Sequence, residues 1–304
     1  MSSMRDLFNT PMFEPVLGYI DLQCEQIMAA AMLHLTAPAT LQGVLALGQL
    51  EAACLDLGIK YSRRFFMPQS QRPHGEAHVH VPADQGLTVV LDVEEETWDH
   101  ADLKPSELIR VVPLRTHLTM GSSNRQHIGA LDVVLQAAAM GARLAPNGRR
   151  VRKLRPYLSL GLWLRGALDT TFDPIHSATL EHLKEEGSVR VVPIPEVPNP
   201  SCEMIPEFSN RQLKRLQKAW PRMDVEQRRL ALSELVLPAL VNPTLSTPRL
   251  EELIWHRMLV GDQEQDVVSQ AHGALKSWPD DAQSLRLHAS KVLDRWLSEG
   301  LLSV

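Results

Sequence analysis

Short apolar runs alternate with helical patterns along the first 195 residues. Four runs hold few polar residues and predict buried strands over residues 15–21, 59–66, 87–93 and 108–114. Apolar positions spaced three and four apart predict helices over residues 25–35, 40–58, 126–140, 156–168 and 177–186. Strands that alternate with helices over short connections indicate the α/β class, with a doubly wound, mostly parallel sheet.

The pattern changes after a stretch that carries five prolines between residues 193 and 206. Proline at this density disfavours both helices and central strands, so the stretch predicts a linker. Beyond it, the apolar spacing predicts helices over residues 209–220, 224–237, 249–259, 267–276 and 280–300. We therefore predict an α/β domain over residues 1–195, a Pro-rich linker over 196–208 and a smaller all-helical module over 209–304.

Composition narrows the class of protein. The chain has 304 residues, 44% hydrophobic and 22% charged, with a net charge of −5, as expected of a globular protein. The sequence lacks both an apolar run of about 18 residues and the apolar segment of a signal peptide near its start, so we expect no membrane association. Three cysteines without paired spacing indicate a reducing, cytoplasmic setting. Without a Gly-x-Gly-x-x-Gly or Walker A motif, we expect no nucleotide cofactor.

Three aspartates follow apolar runs, where a parallel sheet binds its ligands. Asp21 closes the first predicted strand, Asp92 closes the third, and Asp169 follows the run of residues 162–168. Ligands of such sheets bind at the carboxyl ends of the strands, and carboxylates gathered there can hold divalent cations. Turn formation or helix capping is the alternative reason for an aspartate at each of these positions.

The order of these segments resembles the DHH phosphoesterase superfamily, which includes the RecJ single-strand exonucleases and the inactive helicase cofactor of the eukaryotic replisome. Residues 19–33 resemble the first strand of that family, which ends in an Asp-x-Asp-Gly motif and leads into a helix of small residues. Asp92 matches the second-motif aspartate, residues 124–131 resemble the Ser/Thr-Gly segment, and residues 166–169 match the Gly-x-x-Asp motif. The resemblance covers residues 14–195 and implies a DHH-like fold.

The departures from the family motifs concern its metal ligands. Tyr19 stands where the family has a histidine, Gln23 replaces the second aspartate of the first motif, and Cys24 replaces its glycine. The Asp-His-His signature expected at the end of residues 108–114 is missing, and only His117 lies nearby. Because a two-metal site needs several anionic or imidazole ligands, the resemblance implies an inactive site with no cofactor or one weakly bound Mn²⁺ or Mg²⁺.

The function that follows is that of a catalytically inactive scaffold in DNA replication or repair, which binds a protein partner and also single-stranded DNA. The first alternative is an active metal-dependent phosphoesterase or nuclease that uses Asp21, Asp92 and Asp169 together with His117. The second alternative is an unrelated metalloenzyme built on His78 and His80, since the His-x-His spacing puts both rings on one side of a strand.

A basic segment is the candidate for phosphate contact. Residues 143–155 contain six cations, unusual in an acidic chain, and such density suits the backbone of a nucleic acid. The alternative is a solvated loop whose cations pair with carboxylates elsewhere in the fold. The residues that we assign to contact with DNA are Arg149, Arg150, Arg152, Lys153 and Arg155.

Overall fold

A parallel sheet of four strands organises the first half of the chain. The computed structural model describes residues 7–73, 78–98, 107–120, 125–169 and 171–302. Strand β2 lies at one edge of the sheet and is followed by β1, β3 and β4, and every neighbouring pair is parallel. The α/β class predicted from the sequence is therefore confirmed. The strands are β1 (Leu33–Pro38), β2 (Tyr61–Phe66), β3 (Leu87–Leu91) and β4 (Leu108–Val111).

The predicted strand over residues 15–21 is wrong, because this segment is helical. A 3₁₀ turn over Pro11–Val16 leads into helix α1 (Leu17–Ala29). Ile20 and Ile27, seven residues apart, are both buried, so the apolar run forms one stripe of a helix rather than a strand. The true first strand, β1, begins within the helix that was predicted over residues 25–35.

Helix α2 (Leu41–Leu57) covers one face of the sheet and confirms the helix predicted over residues 40–58. The Thr40 side chain accepts a hydrogen bond from the Gly43 amide and thereby caps the first turn. Gly58 ends the helix with a positive φ of 69°, a conformation that glycine adopts without strain.

The predicted helix over residues 126–140 begins too early. Strands β5 (Leu114–Met120) and β6 (Arg125–Leu131) form an antiparallel pair, and helix α3 (Val133–Leu144) starts only after the Asp132 cap and continues past Gly141. The helices that follow along the chain are α4 (Arg149–Leu154), α5 (Leu160–Leu164) and α6 (Pro174–Glu186).

The module predicted over residues 209–304 is mainly helical but also contains a strand. Strand β7 (Arg190–Val192) pairs with β8 (Arg257–Leu259), so the prediction of an all-helical module is wrong at residues 257–259. The Pro-rich segment 196–208 packs against the protein, with Val197, Cys202 and Ile205 buried. The helices are α7 (Asn210–Ala219), α8 (Val225–Leu240), α9 (Thr247–Trp255), α10 (Val267–Lys276) and α11 (Ala282–Glu299).

The two halves share one hydrophobic core. Helix α11 lies against α2, where Trp296 is fully buried beside Gly48. The Trp278 indole donates a hydrogen bond to the Ala39 carbonyl oxygen at 3.2 Å, at the carboxyl end of β1. Within the described ranges, no helix has both the length and the apolar character that crossing a membrane requires.

Candidate functional site

The face of the sheet that points away from α2 forms the floor of a cleft. Because side chains alternate along a strand, the residues paired in register across the four strands share a face. Leu35, Val89 and Ile109 point towards the helices and are buried. The opposite face carries the side chains of Thr36, Arg64, Phe66, Thr88, Val90, Asp92 and Arg110.

Two adjoining pockets make up the cleft and share Phe66, Arg72, His78 and His80. The larger, of about 850 Å³, lies at the carboxyl ends of β3 and β4, and we call it the acidic pocket. The smaller, of about 450 Å³, lies over the centre of the sheet, and we call it the arginine pocket. The acidic pocket contains Asp92, Glu94, Glu95, Glu96 and Arg110. The arginine pocket contains Thr36, Arg64, Thr88 and Arg286.

Aromatic rings form the boundary between the two pockets. The His78 ring stacks on Phe66 with a centroid separation of 4.3 Å and an interplanar angle of 6°. His80 meets Phe66 edge-on at 5.3 Å and lies 4.7 Å from His78. Both histidines therefore lie on the same side of their segment, as the His-x-His spacing indicated. Phe66 is buried beneath the histidines, so the exposed ring of His78 and the half-buried ring of His80 are the flat surfaces that face the cleft.

Ion pairs neutralise most of the charge in the acidic pocket. Arg110 donates to Asp92 Oδ2 at 2.7 Å and to Glu95 Oε2 at 3.0 Å, and Arg72 pairs with Glu94 at 3.1 Å. Hydrogen bonds from Thr97, reinforced by Arg110, lower the pKa of the Glu95 carboxyl to about 2. Three of the four carboxylates that line this pocket, those of Asp92, Glu94 and Glu95, are thus already engaged with cationic or hydrogen-bonding partners.

The arginine pocket has a positive potential. Arg64 and Arg286 are exposed, and neither forms an ion pair with any carboxylate that the structure describes. Burial lowers the pKa of His78, and the nearby charges of Arg72, Arg64 and Arg286 lower it further against the opposing effect of Asp92. His80 shows the same direction, because burial and His78 lower its pKa. An anion placed between the two unpaired arginines would find complementary charge.

The three predicted metal-binding aspartates do not gather at one edge of the sheet. Asp21 lies within α1 and pairs with Arg143 at 2.7 Å, whereas Asp169 follows α5 and pairs with Arg249 at 2.8 Å. Of the three, only Asp92 reaches the cleft. Across the residues that the structure describes, no three His, Cys, Asp or Glu side chains are placed to hold a metal ion. The prediction that these carboxylates converge is wrong because residues 15–21 form no strand.

The other predicted ligand, His117, also lies in a different part of the fold. It is exposed in β5, opposite Ile128 of β6. His78 and His80 share the cleft with Asp92, but the three side chains do not form a metal-ligating group.

The basic segment around α4 is largely engaged within the fold. Arg155 is buried against Glu186, so its assignment to DNA contact is wrong. Arg150 pairs with Asp56 at 3.2 Å, and Lys153 donates to the Ser298 carbonyl oxygen. Arg152 donates to Asn147 at 2.8 Å, while Arg149 is exposed at the start of α4. Most of these cations tie α4 to its neighbours instead of forming a free patch.

The carboxyl end of β1 carries neutral side chains that are already hydrogen-bonded. Thr40 caps α2, and the Gln42 amide donates to the Gly161 carbonyl oxygen at 3.1 Å. A Cβ atom on Gly43 would lie 2.1 Å from the Pro38 carbonyl oxygen, so this close approach requires glycine. Together with Trp278 on Ala39, these contacts close the carboxyl end of β1, so the open part of this edge lies at β3 and β4.

Sequence reasoning missed the cations of the arginine pocket. The alternation of Ser62, Arg64 and Phe66 with the inward side chains of β2 was a signal for an open, polar face. Arg286 comes from α11, and no local pattern connects it with β2. A comparison with models of protein families found no match, and neither did a comparison with curated protein sequences.

Proposed function

We propose that this chain is a non-catalytic, DHH-like scaffold that binds single-stranded nucleic acid in the cleft on the open face of its sheet. The observation that carries the proposal is the arginine pocket, where Arg64 and Arg286 lie beside the stacked rings of Phe66 and His78. Cations that follow the phosphates, combined with flat rings for the bases, are how proteins hold single strands without reading their sequence.

The segment between β1 and α2 supports the DHH-like part of this proposal. The Asp-x-Asp-Gly motif of the DHH family ends its first strand, and the residues at that position of this fold are Thr40-Leu41-Gln42-Gly43. The motif was predicted at residues 19–33, and that match is lost because residues 17–29 form a helix; residues 40–43 now occupy the corresponding position. Glycine is kept at the fourth position, while threonine and glutamine stand where the family has its carboxylates.

The same residues favour a scaffold over an enzyme. Thr40 and Gln42 carry no charge, and each is engaged in a hydrogen bond within the fold. Arg110 lies 2.7 Å from Asp92 and would repel a divalent cation at that carboxylate. A phosphodiester bound in the cleft would thus meet arginines that hold it, without a metal-bound water to cleave it.

The first experiment measures binding of a fluorescent oligothymidylate of about 15 nucleotides by fluorescence anisotropy, with wild type and Arg64→Glu/Arg286→Glu compared. Because each lost phosphate contact weakens binding about threefold at moderate salt, and charge reversal adds repulsion, we expect the double variant to bind at least about tenfold more weakly. Arg295→Glu, on the same helix as Arg286 but paired with Glu299, is the matched control and should bind like wild type. Equal binding by the double variant would refute the proposal.

The second experiment tests the alternative of an active phosphoesterase on the same samples. Wild type is incubated with the labelled strand and Mn²⁺, and the products are separated by length. We expect the strand to remain intact. Shortened products that disappear in Asp92→Ala would instead support a metal-dependent enzyme.

A further inference from the structure

Helix α7 presents an unusual cationic surface far from the elements that form the cleft. Arg211, Lys214, Arg215 and Lys218 are spaced by three, one and three residues, so they lie along one side of the helix. All four are exposed, and none forms an ion pair with a described carboxylate. The opposite side of α7 anchors the helix in the core through Leu213.

The arrangement of these cations is unfavourable in the isolated chain. Arg211 and Arg215 are four residues apart, as are Lys214 and Lys218, and like charges at this spacing repel each other. The chain as a whole has a net charge of −5, so an excess of basic residues does not explain the cluster. Binding of an anionic partner would remove the repulsion.

A shallow hollow adjoins these cations. It has a volume of about 390 Å³ between α7 and the segment 195–198 and is lined by Lys214, Gln217, Lys218 and the exposed Pro198, with Pro195 and Val197 buried beneath. A second depression of about 350 Å³ continues along the four cations.

Side-chain hydrogen bonds hold the wall of this hollow in place. The Gln217 amide donates to the Val197 carbonyl oxygen at 2.8 Å, and the Trp220 indole donates to Glu196 at 2.9 Å. The surface therefore combines a shallow hollow, whose backbone is held by hydrogen bonds, with a row of positive charges.

We infer that this surface docks an acidic segment of a partner protein, with carboxylates along α7 and one apolar side chain in the hollow. Charge complementarity selects an anionic partner. The hollow favours a peptide over a nucleic acid, because the exposed Pro198 and the methylene stems of the two lysines give it apolar surface, and no aromatic ring among its lining residues offers stacking for a base. The inference is independent of the nucleic acid in the cleft, since the two surfaces share no lining residue.

The test uses a fluorescein-labelled peptide of alternating Asp-Glu pairs and leucines, measured by fluorescence anisotropy. A second peptide with serine in place of each leucine reports on the hollow. We expect wild type to bind the leucine peptide at least about tenfold more tightly than the serine peptide. Lys214→Glu/Lys218→Glu should weaken binding of the leucine peptide at least tenfold, whereas Lys184→Glu/Arg229→Glu, which reverses two exposed cations elsewhere, should not.

Two outcomes would overturn the inference. One is equal binding of both peptides or of both double variants. The other is loss of oligothymidylate binding in Lys214→Glu/Lys218→Glu, because α7 would then be a nucleic-acid surface. Conversely, Arg64→Glu/Arg286→Glu should bind the leucine peptide like wild type, so failure of the cleft proposal and failure of this inference give different results.

Discussion

A fully buried ion pair joins β8 to the start of α10 and holds the Pro-rich segment against them, and its removal should be strongly destabilising. Arg257 and Asp266 are 0% exposed, and their closest nitrogen and oxygen lie 3.2 Å apart. Arg257 also donates to the carbonyl oxygens of Leu253 at 2.6 Å and Ser201 at 3.2 Å. Asp266 in turn accepts from the amide of Ser269 at 3.0 Å and caps α10.

Asp266→Asn removes only the negative charge, because asparagine has nearly the same shape and keeps one side-chain oxygen that can cap α10. The guanidinium of Arg257 would then stay buried without a counter-charge, which lowers the free energy of unfolding by about 3–5 kcal/mol. For a chain of 304 residues, this loss corresponds to a fall in Tm of about 5–8 °C. Glu226→Gln, which breaks an exposed pair with Arg229, should change stability by less than about 1 kcal/mol.

The measurement is urea unfolding followed by circular dichroism, with Asp266→Asn, Arg257→Met and the double variant compared. The double variant should lose less stability than the sum of the two single losses, because neither charge is left alone. Amide exchange of residues 196–208 should rise in Asp266→Asn, since the contact with Ser201 depends on Arg257. Losses that simply add, or a single loss below about 1 kcal/mol, would refute the reasoning.

Three further predictions concern packing and titration. Gly48→Ala should lower the free energy of unfolding, measured by urea denaturation, by about 1–3 kcal/mol, because a Cβ atom would lie 2.5 Å from the Trp296 ring. Gly18→Ala is the control and should not lower stability, because a Cβ atom there meets nothing within 4 Å. Burial raises the pKa of Asp132 to about 6, above its value of about 4 in the unfolded chain. The protonated carboxyl therefore contributes to stability at low pH, and this contribution is lost as the pH rises from about 4 to 6. The stability of Asp132→Asn relative to wild type should therefore increase by about 2 kcal/mol between pH 4 and pH 7, and a difference that stays constant would contradict the assignment. In the free protein, burial lowers the pKa values of His78 and His80, and the arginines lower that of His78 further. A bound phosphate would raise both pKa values, so fluorescence anisotropy should show tighter binding of oligothymidylate as the pH falls from 7.5 to 5.5. The variant His78→Gln/His80→Gln should show a smaller change of affinity over this pH range.

Local signals predicted the helices better than the first strand. Thr40 and Gly58 mark both ends of α2, and the structure places the helix between them. The run over residues 15–21 is short and apolar, and such a run fits a strand or a buried helix equally well. The helix is favoured because it buries both Ile20 and Ile27 in the core. The sequence of residues 15–21 alone contains no information about these contacts.

The candidate site was predictable only in part, for the same reason. His78, His80 and Asp92 were singled out from spacing and position, and the structure brings them to one cleft. The positions of the two arginines that make one side of the cleft positive depend on the pairing of the strands and on the packing of α11. Arg64 faces the cleft because β2 pairs with β1 at Thr36, and Arg286 reaches it because α11 packs beside β2.

The position of Arg110 determines whether the cleft can hold a cation at Asp92. It lies on β4 directly across from Val90 of β3, so its side chain points onto the open face beside Asp92. A guanidinium at 2.7 Å neutralises the Asp92 carboxylate, and a divalent cation at Asp92 would have to displace that guanidinium against its own charge. Because Arg110 is also paired with Glu95, the charge free to attract an anion is that of Arg64 and Arg286. Arg110 thus disfavours a metal ion at Asp92, and the positive side of the cleft lies in the arginine pocket.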